Sequence, residues 1–299
     1  MALRKATFLG VLELLHYPSP MIWLQQSNAG DLLSAGFILS LTVLVLLYRH
    51  WLTNWARLVG LYLFLLGLQV ALPLGSTLGM TPPLLAAFFP VVPVVVIFAT
   101  LGFIPELNPR DRDASLSWLD RTLFRVDPSV WMDRFACTWI TEVMQLAYLA
   151  YYVLPFVLLG TLYQRGEQEA FHLCVTALLL SHYLAFIGYM ILPALGPRFA
   201  LASQYRQELK GLLIAVAVRD LLNALEGIKR DAFPSGHTSA ILITVFYIVR
   251  FTPELSSWSV PIAGLMIFST VYLRYHYAVD VLAGALLAAL CILLAPLLQ

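Results

Sequence analysis

The chain has 299 residues, of which 60% are hydrophobic and only 12% are charged, and its mean hydropathy is +0.81. Soluble domains carry about 25% charged residues, so this composition excludes an ordinary soluble protein and indicates an integral membrane protein. The formal net charge is +1, which leaves no basic field to attract nucleic acid. We therefore expect an all-α, polytopic bundle of membrane helices.

Residues 1–104 are predicted to form an N-terminal membrane extension. Apolar residues at helical spacing within residues 1–30 predict a short interfacial helix followed by a loop. Three apolar runs follow, and each is a candidate membrane span. They lie at about 32–48, 58–80 and 84–104.

Residues 105–137 interrupt the apolar pattern with five arginines and six acidic residues. Four apolar residues in this segment recur at helical spacing, namely Leu116, Leu119, Leu123 and Val126. Asp120, Arg121 and Arg125 lie away from that apolar side. The pattern predicts an amphipathic helix that lies on the membrane surface.

Residues 138–299 contain five further apolar runs, which bring the predicted number of spans to about eight. The runs lie at about 138–163, 171–193, 236–252, 258–274 and 277–298. A second polar segment, residues 196–235, separates two of them and is predicted to hold another interfacial helix. The sixth span, 236–252, is shorter than the ~20 residues that a full crossing needs. Either its polar N-terminus begins in a recessed site, or the helix is re-entrant.

The sixth span is entered through the sequence Asp231-Ala-Phe-Pro-Ser-Gly-His237, where a charged loop turns into an apolar run. Ser235 can cap a helix that opens with Gly236 and His237, and the free N–H groups of a helix N-terminus form an anion site. Serine and glycine let the backbone approach phosphate oxygens, and the imidazole can give a proton to a leaving oxygen. The alternative interpretation is a capped helix with a chance histidine.

Alternation of the spans places three further polar residues on the same membrane face as His237. Arg198 follows the fifth span, His276 follows the seventh, and Asp280 lies in the first turn of the eighth. His276 and Asp280 are four residues apart, so on a helix the carboxylate can accept the imidazole N–H. The forked guanidinium of Arg198 suits phosphate oxygens. Interfacial side chains without a catalytic role are the alternative interpretation.

These motifs resemble those of the type 2 phosphatidic acid phosphatase superfamily of lipid phosphatases, whose soluble relatives include vanadium haloperoxidases. Phe233-Pro-Ser-Gly-His237 matches the second motif of that family, and His276-Tyr-Ala-Val-Asp280 matches the end of the third. Gly196-Pro-Arg198 is similar to the first motif. The resemblance covers residues 138–299 and implies that this part of the chain is the catalytic core.

The resemblance also implies a role for each motif residue. His276 is then the nucleophile that forms a phosphohistidine, Asp280 its orienting partner, and His237 the acid for the leaving group. Arg198 is expected to hold the phosphate together with the backbone of Ser235 and Gly236. No cofactor or metal is implied, and the sequence offers no carboxylate cluster suited to Mg²⁺ beside the motifs.

Two cations that are usual in the family are replaced in this chain. The position seven residues before Arg198 is Ile191, and the position six residues before His276 is Thr270. Three nearby residues are candidates for the missing phosphate-binding charge, namely Lys229, Arg230 and Arg274. The variant pattern is similar to the branch that contains fungal inositol phosphorylceramide synthases, which pass a phosphoinositol group to a ceramide hydroxyl.

Three functions follow as hypotheses. The first is an integral membrane lipid phosphate phosphatase that acts on a phospholipid or polyprenyl phosphate through a phosphohistidine. The second is a phospholipid headgroup phosphotransferase, and the third, from another class, is a non-enzymatic lipid transporter or scaffold. A transporter needs polar groups along its spans, whereas here they concentrate at one end. A vanadium-dependent peroxidase is disfavoured because those relatives are soluble.

Two indications about orientation conflict. If the polar loops share the face of the site, that face holds 14 of the 18 Lys and Arg residues, and the positive-inside rule places it in the cytoplasm. Bacterial and fungal members of the similar family generally face the periplasm or an organelle lumen. We expect a bacterial inner-membrane protein with an extracytoplasmic site. The oligomeric state stays open.

Overall fold

The computed structural model describes residues 27–77, 79–212, 215–220 and 230–299. Within these ranges the regular elements are helices, without a β-strand. The predicted interfacial helix near the N-terminus lies mostly outside the described residues, and so does Lys229. The chain divides into two compact units, the first ending at Ile97 and the second covering Phe98–Leu298.

The first unit contains α1 (Ala29–Leu47), α2 (Trp55–Thr77) and α3 (Pro83–Phe88), and its boundary falls within α4 (Val91–Thr100). Asn28 and Asp31 form a capping box at the start of α1, in which each side chain accepts a backbone N–H of the other residue. Gln69 of α2 donates a hydrogen bond of 2.8 Å to the Asp31 carboxylate. A buried polar contact therefore joins the two long helices of this unit.

The second unit carries ten further described helices that the site depends on. In chain order they are α5 (Ile104–Leu107), α6 (Asp113–Phe124), α7 (Pro128–Met132), α8 (Thr138–Tyr148), α9 (Ala150–Gln164), α10 (Gln168–Ile191), α11 (Pro197–Ala200), α12 (Gly236–Phe251), α13 (Ser256–Tyr272) and α14 (Ala278–Leu294). Helix α12 packs against α9, α10, α13 and α14. Its side chains Ile241, Ile243, Tyr247 and Ile248 are fully buried, so α12 is the central helix of this unit.

Among the described residues, six helical segments are long and apolar enough to cross a membrane. They are Ala29–Leu47, Trp55–Ser76, Thr138–Gln164, Gln168–Ile191, Pro253–Tyr272 and Ala278–Leu297. Two shorter apolar helical segments, Val91–Leu107 and Gly236–Phe251, correspond to the third and sixth predicted spans. The predicted all-α polytopic bundle is confirmed.

The shortness of α12 has a structural counterpart at its N-terminus. The helix has 16 residues, which at ~1.5 Å per residue span about 24 Å, less than the ~30 Å of a hydrocarbon core. Ser235, its N-cap, is fully buried within the protein. Helix α12 thus begins inside the protein.

Candidate active site

The N-terminus of α12 is fixed by backbone and side-chain hydrogen bonds. The Ser235 hydroxyl accepts the N–H of Thr238 at 3.2 Å, as the sequence predicts for a cap. The N–H of Ser235 donates to the carbonyl oxygen of Asp280 at 3.1 Å, which attaches this end of α12 to α14. A Cβ at Gly284 would lie 2.5 Å from the Ser235 carbonyl oxygen, so only glycine lets α14 approach this closely. The N–H of Ser235 therefore serves the packing of the two helices.

The two histidines meet at this point of the fold. Nε2 of His276 and Nδ1 of His237 are 3.1 Å apart, and His276 is only 3% exposed. Nδ1 of His276 lies 2.8 Å from the carbonyl oxygen of Ala232. Since a carbonyl oxygen can only accept, Nδ1 of His276 carries the proton and Nε2 keeps its lone pair. The donor of the 3.1 Å hydrogen bond is then Nδ1–H of His237, which places a proton donor next to a nucleophilic nitrogen.

His237 is enclosed by tyrosine side chains. Its Nε2 atom is 2.6 Å from the hydroxyl oxygen of Tyr148. The Tyr151 ring packs against it with a centroid separation of 4.4 Å, while the Tyr151 hydroxyl bonds Nε2 of His182 at 3.1 Å. Nδ1 of His182 donates to the carbonyl oxygen of Leu178 at 2.7 Å. His182 is thus a buried, hydrogen-bonded histidine one layer behind the histidine pair.

Asp280 contacts His276 more loosely than the four-residue spacing suggests. Its Oδ2 atom is 3.6 Å from Nδ1 of His276 and accepts the N–H of Tyr277 at 2.8 Å. His276 precedes the first residue of α14, Ala278, so the two side chains are not related by a regular helical turn. The sequence predicts that Asp280 accepts the imidazole N–H, whereas in the structure the shorter hydrogen bond goes to Ala232. Asp280 supplies a buried negative charge beside the ring.

Arg198 is placed by the turn that precedes α11. Gly196 has a φ of +86°, and a Cβ there would lie 2.6 Å from the carbonyl oxygen of Tyr275. The N–H of Arg198 donates to the carbonyl oxygen of Arg274 at 2.8 Å. Its guanidinium carbon lies 5.7 Å from the centroid of the Tyr275 ring. The loop of the first motif is therefore fastened to the two residues that precede His276.

A pocket of about 380 Å³ opens beside Arg198. The residues that line it are Thr141, Gln145, Arg198, Glu208, Leu209, Gly211, Ala215, Arg219, Leu273, Arg274 and Tyr275. Gln145 is 3% exposed, and its Nε2 atom has no hydrogen-bond partner among the described residues. Glu142, one turn earlier on α8, accepts the N–H of Leu212 at 2.6 Å and that of Ala215 at 3.2 Å, which ties this side of the pocket to α8. The pocket is large enough for more than a phosphate group.

Two carboxylates of α6 hold the loops of the site, and sequence analysis did not assign them a role. Asp113 accepts the N–H groups of Leu195 and Gly196, both at 2.9 Å, and the hydroxyl of Tyr277 at 3.0 Å. Asp120 accepts two N–H groups at the start of α14, those of residues 278 and 279, at 3.0 and 2.8 Å. These N–H groups have no partner within their own helix or loop, so the carboxylates satisfy them.

The burial of α6 differs from that of a helix whose charged side faces water. Asp113 and Asp120 are buried, whereas Leu119 and Leu123 are 37% and 59% exposed. Leu119 and Leu123 are available to lipid, whereas Leu116 of the predicted apolar side is buried in the core. The carboxylates point into the protein, where they have donors. Asp113 and Asp120 are seven residues apart, which places them two helical turns apart on one face. This spacing was the signal in the sequence from which their shared orientation could have been predicted.

Burial raises the pKa of two acidic groups near the site. It raises the pKa of Asp120 to about 6, against the lowering effect of the hydrogen bonds from Val279 and Ala278. It also raises the pKa of Asp231 to about 6, and the neighbouring His276 acts in the opposite direction. Asp231 begins the second motif and forms a parallel bridge with Ala194, so the first two motifs lie side by side.

The candidate cations that were predicted beside Arg198 have their own partners. Arg274, at a φ of +67°, donates to the Asp133 carboxylate at 2.6 Å and to the carbonyl oxygen of Gln207 at 2.9 Å. Its guanidinium also lies 3.8 Å from the centroid of the Tyr205 ring. Burial lowers the pKa of Arg274, and the charge of Asp133 raises it.

Arg230 forms an ion pair with Asp111. This hydrogen-bonded pair raises the pKa of Arg230. In the described part of the chain, no group of three or more His, Cys, Asp or Glu residues has an arrangement that could hold a metal ion.

Comparison with known proteins agrees with the motifs. The sequence model of the PAP2 superfamily matches residues 115–294, which is more than half of the chain. The matched part contains His237, His276, Arg198 and α6 from its third residue onward. A PA-phosphatase related-family protein of Dictyostelium discoideum is 26% identical over 182 residues, which cover 54% of this chain and 33% of that protein. The chain thus spans about a third of the length of this curated relative. No solved structure matches this chain. By its motifs and by this match, the chain belongs to the PAP2 superfamily.

Proposed function

We propose that this protein is a membrane-embedded lipid phosphatase in which Nε2 of His276 attacks the phosphorus atom. The observation that carries the proposal is the 3.1 Å contact between His276 and His237, with the proton on Nδ1 of His237. The lone pair of one ring nitrogen thus faces the N–H donor of the other. The family of the chain supports a phosphate ester of a lipid as the substrate class.

The reaction has two balanced steps. In the first, a bond forms between phosphorus and Nε2 of His276, and the bond from phosphorus to the lipid oxygen breaks. The charged ring of His237, which carries a second proton on Nε2, gives its Nδ1 proton to that oxygen and becomes neutral. In the second, water attacks the phosphohistidine, the phosphorus–nitrogen bond breaks, and Nδ1 of His237 takes a proton from the water. Arg198 and the positive end of α12 stabilise the phosphate oxygens, and Asp280 stabilises the charged imidazole of His276.

Trapping the intermediate tests this proposal. Purified protein in detergent is incubated briefly with ³²P-labelled phosphatidic acid or with a labelled polyprenyl diphosphate and then quenched in alkali. We expect acid-labile, alkali-stable label on the native chain and none on His276→Ala. Turnover by the His276→Ala variant at more than one tenth of the native rate would defeat the proposal.

The pocket beside Arg198 favours a headgroup phosphotransferase as a second candidate function. The pocket has a volume of about 380 Å³, which gives room for a substituent on the phosphate or for an acceptor alcohol. The buried amide of Gln145 offers a hydrogen-bonding group to either. Labelled phosphatidylinositol, with and without ceramide or diacylglycerol, separates the two functions. New phospholipid that depends on the acceptor supports the transferase, whereas release of inorganic phosphate from phosphatidic acid, unaffected by acceptors, supports the phosphatase.

We further propose that the site faces the extracytoplasmic side of a bacterial inner membrane. Cys137 is exposed and precedes the span Thr138–Gln164 at the end that carries the site, whereas Cys174 and Cys291 are buried. A membrane-impermeant maleimide should therefore label intact spheroplasts of expressing cells, and Cys137→Ser should remove the label. Labelling of inverted vesicles alone would place the site in the cytoplasm.

A further inference from the structure

The hydroxyl group of Tyr148 lies on the side of His237 that faces away from His276. Tyr148 ends α8, is 1% exposed, and its hydroxyl oxygen is 2.6 Å from Nε2 of His237. Its ring also lies against Tyr275, with 5.0 Å between the ring centroids. A row of four groups results, in which Tyr148, His237, His276 and the carbonyl group of Ala232 are joined by hydrogen bonds of 2.6, 3.1 and 2.8 Å.

The carbonyl group at one end of this row fixes the protons of the others. Because it accepts from Nδ1 of His276, the proton between the two rings belongs to Nδ1 of His237. When the His237 ring is neutral, its Nε2 has a lone pair and the Tyr148 hydroxyl donates to it. When the ring is charged, Nε2 carries a proton and the Tyr148 oxygen accepts it. A hydroxyl group can hold the ring in both states, which a carbonyl or an ammonium group cannot do.

We propose that Tyr148 is a positioning residue that keeps the exchangeable proton of His237 on Nδ1, the nitrogen that faces the nucleophile. This inference rests on the proposed function, since it concerns the proton that the phosphatase reaction moves. After the charged His237 has protonated the leaving oxygen, Nε2–H stays bonded to the Tyr148 oxygen, and Nδ1 is left with a lone pair. That lone pair is the base that the second step needs to take a proton from water.

Tyr151 provides a matched control. Its ring packs against the same histidine, but its hydroxyl bonds Nε2 of His182 at 3.1 Å. Tyr148→Phe and Tyr151→Phe therefore each remove one buried hydroxyl next to the same ring. Only the first removes the hydrogen bond to His237.

The test measures leaving-group dependence, which a loss of packing would not alter. With phosphatidic acid, whose alkoxide leaving group needs a proton, we expect Tyr148→Phe to lower kcat at least tenfold with KM within twofold of the native value. With p-nitrophenyl phosphate, whose leaving group needs no proton, the rate of phosphohistidine formation should stay within twofold, and only the water step should slow. Tyr151→Phe should stay within twofold on both substrates.

Three results would overturn the proposal. The first is an equal loss in the rate of phosphohistidine formation for Tyr148→Phe on both substrates. The second is a loss for Tyr151→Phe as large as that for Tyr148→Phe. If Tyr148→Phe does not fold, 3-fluorotyrosine at position 148 keeps the ring and makes the hydroxyl more acidic. The third result that would overturn the proposal is an unchanged pH profile of kcat in the protein with 3-fluorotyrosine.

The hydrogen bond between Tyr148 and His237 can also be measured without turnover. Failure of this inference can therefore be distinguished from failure of the proposed function. In protein labelled with ¹⁵N-histidine, the Nε2 signal of His237 should shift in Tyr148→Phe and not in Tyr151→Phe. An unshifted signal would remove the contact on which the proposal depends. Turnover by His276→Ala would instead refute the phosphohistidine and leave this measurement intact.

Discussion

The carboxylate of Asp113 accepts a hydrogen bond of 2.9 Å from the backbone N–H of Gly196, 83 residues further along the chain. Gly196 begins the turn that carries Arg198, and the same carboxylate also accepts the hydroxyl of Tyr277, next to His276. One side chain of α6 thus holds the loop that carries Arg198 and the loop that carries His276 in register. The helix that was expected to lie on the membrane surface forms part of the framework of the site.

Asp113→Ala is expected to destabilise the site through these contacts. It leaves one buried and one partly buried N–H group without this acceptor, at a cost of about 1–3 kcal/mol each. We therefore expect a loss of about 2–6 kcal/mol and at least a tenfold fall in kcat/KM. Urea unfolding in micelles and turnover of phosphatidic acid measure the two effects. Thr122→Ala, which removes an exposed hydroxyl that bonds within α6, is the control. Equal behaviour of the two variants would contradict the assigned role of Asp113.

Asp120 should give the folded protein a distinct pH dependence. Its pKa is raised to about 6 by burial, so the folded state binds a proton that the unfolded state, with its ordinary pKa near 4, releases. The contribution of Asp120 to stability is therefore greatest below pH 4 and is lost as the pH rises from about 4 to about 6. The difference in Tm between the native protein and Asp120→Asn should change over this range and stay constant above pH 7. A constant difference from pH 4 to pH 7 would disprove this dependence.

Asp280→Asn is expected to lower activity less than His276→Ala does. The Nδ1–H of His276 donates to the carbonyl oxygen of Ala232, so the nucleophile keeps its tautomer when the carboxylate is replaced. The variant loses the negative charge 3.6 Å from the ring, which should lower kcat at least tenfold. Rapid-quench measurement of phosphohistidine formation should show a slower burst of unchanged amplitude. No burst at all would indicate that Asp280, and not Ala232, orients the nucleophile.

Inhibition by orthovanadate should depend on Arg198. Vanadate imitates pentacoordinate phosphorus, so it should inhibit the native protein, and Arg198→Ala should raise its inhibition constant at least tenfold. Arg206→Ala, which removes an exposed cation of the same polar segment, should leave that constant within twofold. EDTA should not change turnover, because none of the proposed steps uses a metal ion. Activity that EDTA removes and Mg²⁺ restores would refute this mechanism.

Much of the fold could be predicted from the sequence because the relevant signals are local. Runs of apolar residues identify membrane helices wherever they lie, and the cap at Ser235 marks the start of α12 from neighbouring residues alone. Alternation of the spans was sufficient to expect His237 and His276 on one face. It could not supply the 3.1 Å between their ring nitrogens, since that distance depends on how α12 and α14 pack.

The sequence by itself determined the class of the protein, the helical architecture, the motif residues and the short central helix. Only the tertiary structure decided which group each motif residue bonds. The N–H of His276 makes its shorter hydrogen bond with Ala232 and not with Asp280, Asp133 accepts from the side chain of Arg274, and Asp113 holds the arginine loop. The physical reason is that a buried hydrogen-bonding group bonds whichever partner the packing of distant segments brings within about 3 Å. The spacing of residues along one helix specifies neighbours within that helix and not those partners.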